Sequence, residues 1–205
     1  MLPLGALEQH GPHLPLDTDT RIAAALATRL GERRRNACIA PALPFGSSGE
    51  HAGFPGTLSL GQEALELALV ELVRGADWFD AVLIACWHGG NAAPLAGAAA
   101  TLGEDGRTVA VWTATEFMGD AHAGRTETSL MLALDPAAVR LGRAAAGETR
   151  ALSVLLPALQ REGVRAVSAN GVLGNPDGAC AAEGERLLDE LTDSLVRSFD
   201  ALATR

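Results

Sequence analysis

Lysine and arginine gather into no patch in this chain of 205 residues, no apolar run reaches the roughly 18 residues a membrane-crossing helix needs, and no repeat or flexible linker divides it. The missing basic patch, together with a formal charge of -9, disfavours nucleic acid and anionic membrane as partners. Arg33-Arg34-Arg35 is the one basic cluster and reads as the solvated C-terminus of a helix. With no membrane-length run and no signal peptide ahead of the first strand-like residues, a cytoplasmic protein is expected. The missing linker makes residues 1–205 a single domain, and a hydrophobic fraction of 48% with regular periodicity supplies a core and excludes disorder. Cysteine is scarce too. Cys38, Cys86 and Cys180 are odd in number, widely spaced and set in apolar or alanine-rich surroundings, which excludes a disulfide framework or thiolate zinc knot. All three are expected to be buried small hydrophobes, and Cys86, two residues from His88, is not expected to be a nucleophile.

What the chain does have is a concentration of acid and imidazole near its start. Glu8-Gln9-His10-Gly11-Pro12-His13-Leu14-Pro15-Leu16-Asp17-Thr18-Asp19 packs carboxylates and two imidazoles into one loop. Buried carboxylates repel one another and lose hydration, so a divalent cation is the least costly way to gather them. A hydrogen-bonded polar loop without metal is the bland alternative. His88 shifts the balance, because it follows the apolar run Ala81 to Trp87 and precedes Gly89-Gly90-Asn91 and an alanine-rich helix. Such a strand–turn–helix junction faces the ligand crevice of an open α/β sheet. A third cluster, His122-Ala123-Gly124-Arg125-Thr126-Glu127-Thr128-Ser129, adds another His and Glu. If Glu8, Asp19 and His88 hold one cation while His10 and Asp19 hold a second, the pair would lie about 3.5–4 Å apart and ionise water near neutral pH.

Along the chain, strand and helix alternate, which implies an α/β fold with a mostly parallel central sheet. Met1 to Gly5 reads as the tail of a first strand, and a start so close to the acid-rich loop suggests that N-terminal sequence is missing or dispensed with. Asp19 or Thr20 caps a helix carrying Ile22, Leu26 and Leu30 and stopped by Gly31. Ala37 to Ala40 reads as a short strand. Pro41 to Gly61 is a long Pro/Gly/Ser-rich loop, expected to carry function, with Glu50 and His51 at the substrate entrance or merely solvated. Helices are expected over Gln62 to Arg74 (stripe Leu65, Leu69, Leu72), Ala92 to Leu102, Thr126 to Leu134 and Ala181 to Leu202, and strands over Ala81 to Trp87 and Thr108 to Thr113. Between Ala137 and Pro176 the periodicity fades.

Leu4-Gly5-Ala6-Leu7-Glu8-Gln9-His10-Gly11-Pro12-His13-Leu14-Pro15-Leu16, Asp19-Thr20, His88-Gly89-Gly90-Asn91 and Glu127-Thr128-Ser129 together resemble the creatininase family over nearly the whole chain. The resemblance implies a layered α/β/α fold with two divalent metal ions (Zn, Fe or Mn) that hydrolyses C–N bonds of amides. It implies Glu8, His10, Asp19 (bridging) and His88 as metal ligands, and it makes a homo-oligomer, a hexamer or similar, the expected assembly; alanine-rich helices with few aromatics are consistent with that. Ser48-Gly49-Glu50-His51, Phe54-Pro55-Gly56-Thr57, the cluster from His122 to Ser129, Val154-Leu155-Leu156-Pro157 and Gly171-Val172-Leu173-Gly174 resemble the family's mycofactocin-system branch more closely. There the implied substrate is a ribosomal precursor peptide whose C-terminus a radical enzyme has modified, and hydrolysis releases a Val-Tyr-derived unit that becomes a redox cofactor.

Two departures stand out. Creatininase carries a glutamate two residues after its strand-end histidine, serving the second metal, where this chain has Gly90; Glu127 is the candidate to fill the gap, as a ligand or in a catalytic or hydrogen-bonding role. The tryptophan-bearing insertion that covers creatinine has no room between Trp112 and His122, so a peptide end is the more natural substrate. His122 resembles the family's acid/base histidine and is expected to carry the proton to the leaving nitrogen, while water activated by the metals replaces a Ser or Cys nucleophile. His13 is expected to bond to backbone, Asp17 to orient an imidazole and Asn91 to bond within the glycine turn, and Trp87 has no account from sequence. Rival readings are a cyclic-amide or formamide hydrolase of the same family, and a metal-bearing subunit that binds the peptide without cutting it.

Overall fold

The computed structural model describes residues 1–114 and 119–203. Part of the stretch between Trp112 and His122, expected from sequence to be too short for a covering insertion, lies outside the described residues. Three strands, β1 (Leu2–Leu4), β2 (Val82–Cys86) and β3 (Val109–Thr113), form a parallel sheet in the order β1-β2-β3, with Leu4 opposite Cys86 and Cys86 opposite Thr113. Around it run α1 (Thr18–Arg33), α2 (Gln62–Arg74), α3 (Ala92–Glu104), α4 (Arg125–Leu134), α5 (Leu152–Glu162), α6 (Val164–Val167) and α7 (Ala181–Ala203).

The alternation of side chains along β2 explains both its unbroken apolar run and the layering. Leu83, Ala85 and Trp87 enter a core with Ile22, Leu26 and Leu30 of α1, Leu130 and Met131 of α4, and Leu188, Leu191 and Leu195 of α7. Ile84 and Cys86 enter a second core with Leu65, Leu69 and Val73 of α2 and Leu95, Ala98 and Leu102 of α3. The sheet is thus covered on both faces, in the expected α/β/α arrangement. All three strands run the same way, so the loops leaving β1 and β2 emerge at one edge, where open α/β sheets place their ligands.

Several expectations need correction. Ala37 to Ala40 is not a strand: Ala40 N–H donates to Met1 O and Leu43 N–H to Pro3 O, while Pro41, which has no N–H, keeps the segment from becoming a ladder. Helix α1 runs through Gly31 to Arg33 and ends where Arg34 N–H donates to Leu30 O. The buried stripe of α2 continues through Val73, four residues after Leu69, which leaves Leu72 exposed. A whole helix, α5, was hidden because Pro157 interrupts its pattern from within. Only Cys86 is buried; Cys38 and Cys180 are exposed. The basic cluster lies at the end of α1 as expected, with Arg33 paired to Asp193 and Arg34 forked onto Asp200 at 2.6 Å, both on α7.

Helix α7 lies close against α4 because position 184 is glycine. A Cβ there would collide with Ser129 O and come within 2.9 Å of Ala133 Cβ. Gly184→Ala is therefore expected to lose about 1–3 kcal/mol of unfolding free energy in a denaturant titration; an unchanged midpoint would contradict the close approach.

Candidate metal centre

All five histidines of the chain meet on the loops at one end of the sheet. Glu8 and His10 lie on the loop after β1, Asp19 in the first turn of α1, His88 just past β2, Glu50 and His51 on a single 3-10 turn (Gly49–His51), His122 ahead of α4 and Glu127 in its first turn. Glu8, His10 and Asp19 are almost wholly removed from solvent, at 0, 0 and 2% exposure. So many ionisable groups held away from water need an electrostatic reason.

Three buried carboxylate oxygens identify it. Among the described residues, no group donates a hydrogen bond to either oxygen of Glu8 or to Asp19 Oδ2. His51 Nε2 and His88 Nε2 each come within 3.2 Å of a Glu8 oxygen, yet neither is aligned as a donor. Asp19 reaches two imidazoles at once, with Oδ1 at 3.3 Å from His10 Nε2 and Oδ2 at 3.5 Å from His88 Nδ1. Burial alone would raise the Glu8 carboxyl, but the His88, His51 and His122 rings outweigh it and hold Glu8 well below its usual range. Burial likewise opposes charge on His10, and Asp19, Glu127 and Glu8 overcome it and push the ring up to about 10. The pocket demands positive charge at its centre, which a proton or a cation can supply.

Hydrogen bonds to backbone carbonyls show which nitrogen of three of these rings carries the proton. Nδ1–H of His10 donates to Glu8 O at 3.1 Å, Nε2–H of His88 to Ser47 O at 2.9 Å, and Nε2–H of His122 to Gln9 O at 2.8 Å. With those nitrogens holding the protons, the lone pairs fall on His10 Nε2, His88 Nδ1 and His122 Nδ1. A remote N–H anchored on a backbone carbonyl is what metal-binding imidazoles generally have. His51 is the exception. Gln9 Oε1 accepts from Gly11 N–H, so Gln9 Nε2 has two hydrogens to place, and it gives them to Gly171 O and His51 Nδ1, each at 2.9 Å. His51 then carries its proton on Nε2, towards Glu8.

The donor atoms fall into overlapping groups that can each surround a cation: Glu8, His10 and Asp19; Glu8, Glu50 and His88; His10, His122 and Glu127; and Glu8, His51 and His122. Glu8, His10, Asp19, His88, His122 and Glu127 are thus brought together. Glu127 Oε1 accepts the indole N–H of Trp87 at 2.9 Å, and its Oε2 accepts Ala123 N–H at 2.6 Å while lying 3.9 Å from His10 Nε2. That bond gives Trp87 its account. His13 bonds not to backbone but to the Thr128 hydroxyl at 2.9 Å, and burial holds its ring down to about 4. Asp17 orients no imidazole; it is half-exposed and pairs with Arg21 at 2.8 Å. Asn91 reaches beyond the glycine turn, accepting Ser47 N–H and donating to Gly5 O, and so ties three loops together.

Gln9 and the depth of His51 were missed from sequence. Their signal was present: Gln9 lies between two acid–imidazole positions, and Glu50-His51 repeats the pairing inside a loop too long to be a mere connection. The Gly171 segment matters because a Cβ there would collide with the Gln9 amide, and its φ of +81° suits glycine.

The donor set fits divalent metal of the Zn, Mn or Fe kind: oxygen and nitrogen only, with orphaned carboxylate oxygens and lone pairs turned inward. Comparison with known proteins agrees. The creatininase family model, described as creatinine amidohydrolase, matches residues 1–199. This chain belongs to the creatininase family. It is 47% identical over 199 residues to the mycofactocin precursor peptide peptidase of Mycolicibacterium smegmatis (strain ATCC 700084 / mc(2)155), covering 94% of this chain and 81% of that one. It is also 47% identical over 207 residues to the mycofactocin precursor peptide peptidase of Mycobacterium tuberculosis (strain ATCC 25618 / H37Rv), covering 96% and 82%. Among solved structures, a putative creatinine amidohydrolase from Bacteroides fragilis NCTC 9343 superposes with a TM-score of 0.81 at 26% identity, covering 100% of this chain and 89% of that one. A manganese form of creatininase superposes with a TM-score of 0.79 at 26% identity, covering 96% and 88%. This creatininase-family member has no helix, among the described residues, long and apolar enough to cross a membrane.

If Trp87 holds Glu127 in place, Trp87→Phe and Glu127→Ala will not add. A double-mutant cycle on the unfolding free energy is expected to give a coupling of about 1–3 kcal/mol; simple additivity would contradict the link.

Proposed function

We propose that this chain is a metal-dependent peptidase that hydrolyses the radical-modified C-terminus of a mycofactocin precursor peptide and releases the Val-Tyr-derived unit. The observation that carries the reading is the set of orphaned oxygens on Glu8 and Asp19 inside a shell of inward-facing imidazole lone pairs. The substrate rests on the 47% identity to mycofactocin precursor peptide peptidases across nearly the whole chain. No feature of the site favours a cyclic amide, a formamide or a non-catalytic binding role over a peptide bond.

In this reading Glu8, His10, Asp19 and His88 would hold two divalent ions, with Asp19 within reach of both imidazoles, and Glu127 flanks His10. Bound there, such ions would supply activation of water near neutral pH and polarisation of the scissile carbonyl, so that no Ser or Cys nucleophile would be needed. Burial keeps the Cys86 thiol protonated, above its ordinary value, and its Sγ–H is committed to His88 O. His122 moves the proton. Its Nε2–H stays on Gln9 O, so Nδ1 is the atom that takes a proton from the attacking water and gives it to the leaving nitrogen. Burial first, and then the charge on His10, holds this ring below its ordinary value, which suits a base at neutral pH. We further propose a homo-oligomer, in keeping with the resemblance.

Mass spectrometry of the modified precursor peptide incubated with the enzyme tests the proposal. Cleavage near the C-terminus is expected, abolished by a chelator and restored by Zn, Mn or Fe; cleavage that persists in metal-free protein, or none with metal present, would contradict it.

A further inference from the structure

Glu50 is the one carboxylate of the cluster to which the reading above gives no task. It sits on the 3-10 turn Gly49–His51, between two anchors. On one side His51 is held by Gln9. On the other, Gly163 (φ +76°) lets the α5–α6 junction approach the Glu50 carbonyl, which would lie 2.8 Å from a Cβ at that glycine. The turn is thus clamped rather than free, and it aims the Glu50 side chain at the space over Gly90. A side chain at Gly90 would collide with Glu50 Oε1, His88 Nε2 and Ser47 O, so Glu50 can reach this spot only because residue 90 has no Cβ.

What Glu50 meets there is Nε2 of His88. Its Oε1 lies 3.4 Å from that nitrogen, beside Ser47 O at 2.9 Å, Glu8 Oε2 at 3.2 Å and the Ser48 hydroxyl at 3.5 Å. The other nitrogen of the same ring, Nδ1, faces the orphaned Asp19 Oδ2 at 3.5 Å. A carboxylate at the protonated nitrogen of an imidazole fixes its tautomer and raises the electron density its other nitrogen offers to a metal. We propose that Glu50 is a positioning residue for the metal centre, acting through His88: it holds the proton on Nε2 and strengthens Nδ1 as a ligand. The loop of residues 41–61 is then part of the metal site and not merely its entrance. The inference rests on the metal-site reading of the cluster, not on the identity of the peptide.

Metal titration separates the two. Metal-stripped wild type and Glu50→Gln are titrated calorimetrically with Zn(II) and with Mn(II), their stoichiometry is checked by elemental analysis, and both stripped proteins are melted. Expected for Glu50→Gln are an unchanged number of ions, affinity about 10–100-fold weaker at one of them, a stripped-state melting curve like that of wild type, and partial recovery in Glu50→Asp. Unchanged affinity would overturn the proposal. So would the loss of one whole ion, which would make Glu50 itself a ligand, or a stripped protein that melts earlier, which would make its role structural. Wild type that binds no metal would instead overturn the underlying reading, and failure to cut the peptide while binding metal would leave the Glu50 inference standing and sink only the proposed substrate.

Discussion

Uncompensated negative charge, buried at the carboxyl edge of a short parallel sheet, is the constraint around which this molecule is arranged. Among the described residues, Glu8 and Asp19 are out of water with three oxygens that accept no hydrogen bond, while His10 and His122 turn lone pairs inward and His88 turns its Nδ1 lone pair towards Asp19. An isolated arrangement of this kind costs several kcal/mol per charge. It persists in a folded chain only if something positive occupies the centre, and the upward shift of His10 to about 10 marks where that charge is wanted.

The rest of the fold keeps these groups from relaxing. Each imbalance is backed by an anchor in another element: backbone carbonyls of Glu8, Gln9 and Ser47 pin three imidazoles, Trp87 on the central strand pins Glu127, and Asn91 ties Ser47 to Gly5. Trp87 and His88 are consecutive, so one strand end serves two tasks, holding the acid of α4 from one face and offering an imidazole to the cluster. The Gly171 segment contributes through Gln9 and through the backbone pairing of Leu173 with His122, which shows how a distant stretch of chain can bear on the site without supplying a ligand.

The alternation of strand and helix, the layered fold and the residues that converge were legible because they rest on strong local signals: a continuous apolar run in β2, helical stripes in α1, α2 and α7, and acid–imidazole pairs next to glycine turns. Less legible was whatever depends on partners far along the chain. Ala37 to Ala40 has the composition of a strand but lies at an edge beside Pro41, and α5 contains a proline that conceals its period. In the site, His13, Asp17 and Asn91 had partners that no spacing could reveal: Thr128, Arg21 and the Ser47–Gly5 pair. The role of Trp87 required the position of Glu127, forty residues later.

Whether cations are what Glu8 and Asp19 await is answered most directly by anomalous diffraction from crystals of the metal-reconstituted protein, recorded at the metal's absorption edge. The account predicts two peaks inside the cluster, both in contact with Asp19, one also touching His10 and the other His88. A cluster without an anomalous peak, its carboxylate oxygens satisfied by water or by protonated imidazoles, would contradict it.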